Sequence, residues 1–298
     1  MSAVIRDMTA KDIDGAGEML FKAFNDVSSK HGHGVRIHNQ QVAKVWAWSM
    51  LHYGHSDLLV AEIGNRVAGI CCLNPRGRVG NVGPVAVHPD FQGHAVGREL
   101  MNALLKRAEG LESLRVIQEA FNRASFSLYY SLNFMPVATV LELFLDGSIE
   151  KESDRCCSNN IRELSKKDLD EIHAYDNPRS KLDRRSDLEY YDKWGSVFVC
   201  RNQDQIRGFL ACLPGSEFVQ LGPLLAEGEE EAICLFRHAV EVFKGRDCRT
   251  RVMARDYVLV RALNGLHFRL QSVNNLMVRG SWRPDVYVEA FGIFPDGA

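Results

Sequence analysis

The segment Val82–Arg98, VGPVAVHPDFQGHAVGR, has the residue types and spacing of a site that binds a phosphate group. Its β-branched valines favour a strand, and Gly83 and Pro84 among them favour a strand that is locally bent or bulged. The small residues between Gln92 and Gly97 let a ligand approach the backbone, just before the helical run RELMNALLKRAE. Unpaired N–H groups and the dipole at the start of that helix attract anions. The sequence therefore predicts an anion site between a strand and a helix.

Two nucleotide-binding motifs do not fit this segment. It has no GxGxxG followed by an acidic residue about 20 positions further on, so it is not a Rossmann fingerprint. No Gly-Lys-Ser or Gly-Lys-Thr follows, so it is not the P-loop of nucleotide triphosphatases. The remaining alternative is a strand, turn and helix whose small residues serve only packing.

A second informative segment lies downstream and reads RVIQEAFNRASFSLYYSLNF. RVIQEAF is typical of a short strand, and Arg123 to Leu132 has helical spacing. Asn122 therefore falls at the N-cap of the helix, where its side-chain oxygen can accept a hydrogen bond from a free backbone N–H. Asn122 is thus either an ordinary cap or a cap that also contacts a ligand.

The first segment resembles the pyrophosphate loop of the GNAT superfamily of acyl-CoA N-acyltransferases. That loop reads Gln or Arg, two residues, Gly or Ala, one residue, Gly or Ala. Here Gln92, Ala95 and Gly97 occupy the three places. Ala95 stands where Gly is usual, so an alanine must adopt a backbone angle that glycine adopts more readily.

The second segment resembles a later motif of the same family, Asn, two residues, Ser or Ala, two residues, Leu-Tyr, three residues, Gly-Phe. The matching residues are Asn122, Ser125, Leu128, Tyr129 and Phe134. Asn133 replaces the glycine, and Asn is the next most tolerant residue for a left-handed helix cap. The resemblance implies that Asn122 contacts the pantetheine arm and that Ser125 lies near the pyrophosphate.

The resemblance implies transfer of an acetyl or other acyl group from acetyl-CoA to a primary amine, with a small molecule as the expected acceptor. The backbone near Val85, Ala86 and Val87 would hold the pantetheine and polarise the acyl carbonyl, where donors stabilise a developing oxyanion. Tyr129 would stand beside the thioester sulfur and act as the catalytic proton donor to the thiolate. The other residues that the resemblance assigns to acetyl-CoA are Gln92, Gly93, His94, Ala95, Val96, Gly97, Arg98, Asn122 and Ser125.

A non-catalytic acyl-CoA-binding regulatory module is the alternative function. Tyr129 discriminates between the two, since a binding module does not need a proton donor there. An enzyme must also deprotonate its amine, because an amine with a pKa near 10 is mostly charged at neutral pH. Glu62 and Glu119 are candidate bases, but each is also typical of a surface or structural carboxylate, and neither is assigned a catalytic role.

An internal repeat predicts two related domains in tandem. IRDMTAKDID from Ile5 returns as IRELSKKDLD from Ile161, and GPVAV from Gly83 returns as GPLLA from Gly222. We expect an α/β fold in which residues 1–147 and 160–298 each form a twisted mixed sheet flanked by helices. The polar stretch from residue 146 to 160 is the expected linker.

Local patterns predict the elements of the first domain. Asp12 to Phe24 and Gln40 to Leu51 have helical spacing, and Gly64-Asn65 joins two predicted strands as a hairpin. The strand TVLELFL near residue 142 is expected to close the sheet of this domain.

The second domain is degenerate where chemistry would matter. The acidic run EGEEEA from Glu227 replaces the anion loop, which stabilises a helix start but repels a pyrophosphate. Leu259 and Val260 stand in the region of the Leu-Tyr motif. We therefore expect acetyl-CoA to bind only in the first domain, and the second domain to form a wall of the acceptor pocket.

Composition excludes several function classes. The chain has 298 residues with 36 basic and 38 acidic side chains, so its net charge of −2 gives no field that favours nucleic acid or an anionic membrane. No apolar run or signal sequence is present, which predicts a cytoplasmic protein. We expect a monomer, with a homodimer as the alternative, and reduced, mostly buried cysteines.

His31, His33 and His38 lie close together in HGHGVRIH. No cysteine or carboxylate completes a zinc site nearby, and none of the cysteines has CxxC spacing. The sequence therefore predicts no metal. In the family this region borders the acceptor pocket, so the resemblance implies that the loop helps to admit the acceptor.

Overall fold

The computed structural model describes residues 3–149, 160–164, 168–282 and 287–292. The chain divides into two compact units. Unit 1 comprises Met1–Met135 together with Met277–Gly280, and unit 2 comprises Pro136–Leu276 together with Ser281–Asp296. Most of the predicted linker lies outside the described residues. The predicted domain bounds, 147 and 160, stay a prediction, because compactness does not show which segments fold independently.

Unit 1 is a mixed sheet with four helices among its described residues. Its elements are β1 (Val4–Asp7), α1 (Ile13–Lys30), α2 (Gln40–Tyr53), β2 (Asp57–Ile63), β3 (Arg66–Arg76), β4 (Val79–Val87), α3 (Val96–Arg107), β5 (Ser113–Glu119) and α4 (Arg123–Ser131). The strands are ordered β1-β2-β3-β4-β5, and only the pair β4–β5 is parallel. The predicted helices and hairpin are confirmed, with α1 running on to Lys30.

Unit 2 repeats this architecture. Its elements are β6 (Met135–Leu145, from Pro136 on), β7 (Ile161–Glu163), α5 (Leu169–Ser180), α6 (Arg185–Trp194), β8 (Ser196–Asn202), β9 (Gln205–Pro214), β10 (Val219–Ala226), α7 (Glu229–Val242), β11 (Cys248–Met253), α8 (Tyr257–Gly265), β12 (Arg269–Gly280, up to Leu276) and β13 (Val288–Phe291). The strands are ordered β12-β6-β11-β13-β10-β9-β8-β7. From β7 to β12 the element order is that of β1 to β6, which confirms the internal repeat.

The repeated IR…D motif has a structural role in both units. Arg6 on β1 donates to Asp12 before α1, with an Nη2–Oδ1 distance of 2.7 Å. Arg162 on β7 donates to Asp168 before α5, with an Nη2–Oδ1 distance of 2.5 Å. Each pair ties the first strand of a unit to the start of its first helix.

The expectation that TVLELFL closes the first sheet is wrong. Residues Val140–Leu145 of β6 pair with β11, and both belong to unit 2. The end of β12, Met277–Gly280, belongs instead to unit 1, where Met277 is fully buried in the core. An apolar strand pattern predicts a strand but does not specify its partner strand. The sequence therefore did not show that most of β6 belongs to unit 2 and the end of β12 to unit 1.

Each sheet buries both of its faces. In unit 2 Phe198 and Cys200 face the core under α7 and α8, whereas Val197 and Val199 face α5 and α6. In the described part of the chain, the cysteines without a disulfide bond are buried, namely Cys71, Cys72, Cys200, Cys212 and Cys248. Cys234 is disulfide-bonded, so the expectation of reduced thiols is wrong at that position.

Candidate active site

A cleft opens between β4 and β5 in unit 1. The two strands pair only from Val79 to Asn81 on β4, opposite Ser113 to Arg115 on β5. Beyond this point β4 continues to pair with β3, and the register shifts between Cys71 and Leu73, which confirms the predicted bulge. The edge of β4 that carries Val85, Ala86 and Val87 therefore has no partner among the described strands on its β5 side. It offers free backbone groups to an extended ligand.

The predicted anion loop follows directly. Gly93 and Ala95 adopt positive φ angles of +80° and +63°, so Ala95 takes a left-handed conformation that glycine, the usual residue at this place, adopts more readily. The Gln92 side chain folds back, and its Nε2 donates to the carbonyl oxygen of Val87 at 3.0 Å. This contact fixes the loop against the end of β4.

Helix α3 begins at Val96 and points its amino end at this loop. Its first intrahelical donor is the amide of Glu99, which donates to the carbonyl of Ala95 at 3.0 Å. The amides of Val96, Gly97 and Arg98 have no helical acceptor and remain available to an anion.

Two side chains of the loop region make local contacts. His94 places its Nδ1 3.0 Å from the carbonyl oxygen of Gln92. The exposed Arg98 donates from Nη2 to the Ser131 Oγ at 2.8 Å. The guanidinium of Arg98 thus adds positive charge next to the exposed N–H groups, which favours an anion there.

Asn122 caps α4, as predicted. Its Oδ1 accepts from the amide of Ser125 at 3.1 Å, and the Ser125 Oγ donates to the carbonyl of Asn122 at 3.0 Å. Gln118, which the sequence analysis did not single out, is 2 % exposed and donates from Nε2 to Asn122 O at 2.8 Å and to Ser125 Oγ at 3.0 Å. The sequence signal for Gln118 is a polar side chain within the strand RVIQE. Gln118 holds the turn between β5 and α4 in place.

Tyr129 lies on α4 in the core of unit 1. It is 5 % exposed and its ring centroid lies 5.8 Å from that of Phe134. Burial raises the pKa of its hydroxyl well above the ordinary value, and the neighbouring Cys71 and Glu119 raise it further. A tyrosine hydroxyl is already protonated at neutral pH at its ordinary pKa, so Tyr129 can act as a donor there.

The two candidate bases differ in their surroundings. Glu62 on β2 accepts from Arg6 Nη2 at 2.6 Å, which is a structural contact at the β1–β2 edge. Glu119 lies at the end of β5 and its Oε1 is 3.4 Å from Arg36 Nη2. Of the two, only Glu119 lies beside the Asn122 turn.

The histidine-rich loop folds over the same turn. The rings of His31 and His33 lie 5.1 and 4.2 Å from the ring of Phe121, the residue before Asn122. Over the residues that the structure describes, no group of three or more metal-ligating side chains is arranged around a common point. His31 and His33 therefore pack their imidazoles on an aromatic ring at the edge of the cleft.

The corresponding cleft of unit 2 has the same register. Val219 and Gln220 pair with Cys248 and Arg249, as Gly80 and Asn81 pair with Leu114 and Arg115. In unit 2, however, β13 lies between the two strands. It pairs antiparallel with Leu224, Leu225 and Ala226, the counterparts of Val85, Ala86 and Val87.

Unit 2 also lacks the other parts of the site. Eight residues, His88 to Ala95, separate β4 from α3, whereas only Glu227 and Gly228 separate β10 from α7. Leu263 occupies the place of Tyr129, counted from the helix caps at Asp256 and Asn122. The sequence analysis compares Leu259 and Val260 with the Leu-Tyr pair of the motif. The helix caps instead place Ala262 and Leu263 at the positions of Leu128 and Tyr129.

Along the described ranges, no helix is long and apolar enough to cross a membrane. The expectations about oligomeric state, location and the wall of the acceptor pocket stay predictions.

Comparisons with known proteins agree with this architecture. Residues 22–134 match the family model described as acetyltransferase (GNAT) family, and residues 174–291 match the model described as acetyltransferase (GNAT) domain. No curated protein matches the chain.

Several solved structures share the whole fold. A putative acetyltransferase from Pyrococcus horikoshii aligns with a TM-score of 0.76 at 17 % identity, covering 96 % of this chain and 92 % of its own. A GCN5-related N-acetyltransferase from Sphaerobacter thermophilus aligns at 0.64 and 14 %, covering 93 % and 95 %. A tandem GNAT protein from the clavulanic acid biosynthesis pathway aligns at 0.64 and 12 %, covering 95 % and 100 %. The chain therefore belongs to the GNAT acetyltransferase family and carries two of its domains in tandem.

Proposed function

We propose that unit 1 transfers an acyl group, acetyl in the first instance, from acyl-CoA to a primary amine of a small-molecule acceptor. The observation that carries the proposal is the open edge of β4 beside the free amino end of α3. An acyl-CoA needs both features, because its pyrophosphate is an anion and its pantetheine arm is an extended chain with amide groups.

The pyrophosphate would bind the amides from Gly93 to Arg98. The pantetheine would lie along Val85, Ala86 and Val87, with Asn122 and Ser125 on the opposite wall of the cleft. Unit 2 supports this placement, since an extended backbone occupies the corresponding edge there. The missing loop of unit 2 and its occupied cleft limit acyl-CoA to one molecule per chain.

Transfer requires the amine nitrogen to attack the thioester carbonyl. Backbone N–H groups on the β4 edge would stabilise the oxyanion, where such donors contribute most. As the C–S bond breaks, Tyr129 donates a hydrogen bond and then a proton to the sulfur, and regains a proton from solvent. A water chain or Glu119 accepts the proton that the amine loses.

Acetyl-CoA calorimetry on loop variants tests the proposal. We expect one site per chain in the parent protein and no binding in Gly97→Glu, because the carboxylate would lie at the anion site. Gly97→Ala is the matched control, since its Cβ would lie 3.4 Å from Leu128 Cδ2 and 3.5 Å from Val87 Cγ2 and needs little adjustment. Equal affinity of Gly97→Glu and the parent would show that the loop does not bind the donor.

A further inference from the structure

Among the residues that the structure describes, the strand β13 has no counterpart in unit 1. The first unit passes through β4, α3, β5, α4 and β6, and the second through β10, α7, β11, α8 and β12. β13 comes after this series is complete. It lies in the cleft between β10 and β11, the counterparts of β4 and β5.

β13 is paired on both edges. Val288, Glu289 and Ala290 lie opposite Ala226, Leu225 and Leu224 of β10. On the other edge Ala290 and Phe291 lie opposite Val252 and Arg251 of β11. A four-residue segment thus satisfies the backbone of two strands that the repeat leaves apart.

Gly222 in unit 2 and Gly83 in unit 1 occupy corresponding positions, but only Gly222 has a neighbouring backbone in its cleft. Gly222 and Gly83 adopt nearly the same φ, +138° and +142°. A Cβ on Gly222 would lie 2.5 Å from the carbonyl oxygen of Phe291, whereas a Cβ on Gly83 would meet nothing within 4 Å. The close approach of an extended backbone to Gly222 is therefore specific to the filled cleft.

The side chains of β13 fit the cleft as well as its backbone does. Val288 and Ala290 belong to the core under α7 and α8, and are 6 % and 1 % exposed. Glu289 and Phe291 are 2 % and 5 % exposed. All four residues are buried, with small aliphatic side chains at alternate positions facing the α7 and α8 core.

We propose that the cleft between β10 and β11 is a binding site for an extended peptide strand, and that Val288–Phe291 is its tethered ligand. The segment can then leave the cleft and rebind as a separate peptide of the same sequence. Recognition uses backbone hydrogen bonds on both edges and two small aliphatic side chains, as in other cases of strand addition. The inference concerns unit 2 and does not depend on the proposed function of unit 1.

A nicked full-length chain tests the proposal. A protease recognition sequence inserted among residues 283–286 allows cleavage after folding, and a fluorescent synthetic peptide of residues 287–298 is then added. We expect the cleaved segment to remain bound through gel filtration and the labelled peptide to exchange into the cleft. Release without rebinding, or no exchange of the labelled peptide, would overturn the proposal.

Two peptide variants test the mode of binding. Proline at 290 removes an N–H from a strand that is paired on both sides, so A290P should bind at least about tenfold more weakly. Ala298→Pro, beyond the bounds of β13, should not change binding. Equal binding of A290P and the parent peptide would exclude recognition as a strand.

A matched glycine pair provides a second test without cleavage. Gly222→Ala places its Cβ against Phe291, and we expect amide hydrogen exchange of residues 288–291 to become at least about tenfold faster. Gly83→Ala imposes similar backbone strain without that contact and should leave exchange at 288–291 unchanged. The same acceleration in both variants would show that β13 is not held by the close approach at Gly222.

Discussion

At the residue scale, the sequence best predicts the roles of residues whose position requires a particular backbone angle or hydrogen bond. Ala95 adopts the left-handed angle that the loop pattern demands, and Asn122 caps α4. Gln118 was missed because a glutamine in a strand has no distinctive spacing, although its amide holds the Asn122 turn. Leu263 stands in the place of Tyr129 when the two helices are aligned by their caps at Asp256 and Asn122.

Tyr129→Phe tests the proposed proton donor. The ring and its packing on Phe134 are kept, so we expect acetyl-CoA affinity to change little. We expect turnover to fall by about 10²-fold or more, the usual contribution of general acid catalysis. Single-turnover thiol release measures the chemical step, and unchanged release would remove Tyr129 from the mechanism.

At the scale of elements, the predictions succeeded where the pattern was local. The hairpin at Gly64-Asn65 has φ angles of +55° and +61°, as a tight two-residue turn requires. The helix α1 extends six residues beyond the predicted end, because NDVSSK lacks apolar periodicity but packs as a continuation of the helix. The strand partners of β6, β12 and β13 were not predictable, since alternation specifies a face and not a neighbour.

The Arg6–Asp12 contact between β1 and α1 predicts acid sensitivity. Hydrogen bonds from Arg6 lower the Asp12 pKa to about 2. At pH values above the unfolded-state pKa of Asp12, near 3.9, the lowered pKa stabilises the folded state by about 2 kcal/mol. This stabilisation is lost as the pH falls from about 4 to about 2.

Urea unfolding of the parent and Asp12→Asn measures this effect. We expect their difference in unfolding free energy to shrink as pH falls from about 5 to about 2.5. Asp14→Asn is the control, because the Asp14 side chain is 83 % exposed. A difference between parent and Asp12→Asn that is independent of pH would show that the Arg6 contact does not stabilise the fold.

At the scale of the whole molecule, the two compact units are not two continuous halves of the chain, because unit 1 also contains Met277–Gly280. Met277 lies far from unit 1 in sequence but is fully buried in its core. A chain ending after Glu152 would lack this residue, so we expect that fragment to be less stable than unit 1 in the intact protein. The sequence predicts two domains in chain order, because a repeat indicates duplication and does not indicate that strands are exchanged between the two halves.

Met277→Ala tests this assignment in the full-length protein. Truncation of a buried methionine costs about 2 to 5 kcal/mol, so hydrogen exchange in β4 and β5 should accelerate. Leu270→Ala, in the same strand but at a side chain that is 58 % exposed, is the control. If β4 and β5 exchange at the parent rate in Met277→Ala, Met277 does not support the core of unit 1.

Release of the CoA thiol from acetyl-CoA, measured across a panel of primary amines, is the direct test of acyl transfer by unit 1. We expect amine-dependent release by the parent protein and by Gly97→Ala, and none by Gly97→Glu. Undiminished release by Gly97→Glu would contradict the assignment of the donor site. Binding of acetyl-CoA without release for any amine would contradict the proposed transfer and favour a non-catalytic acyl-CoA-binding module.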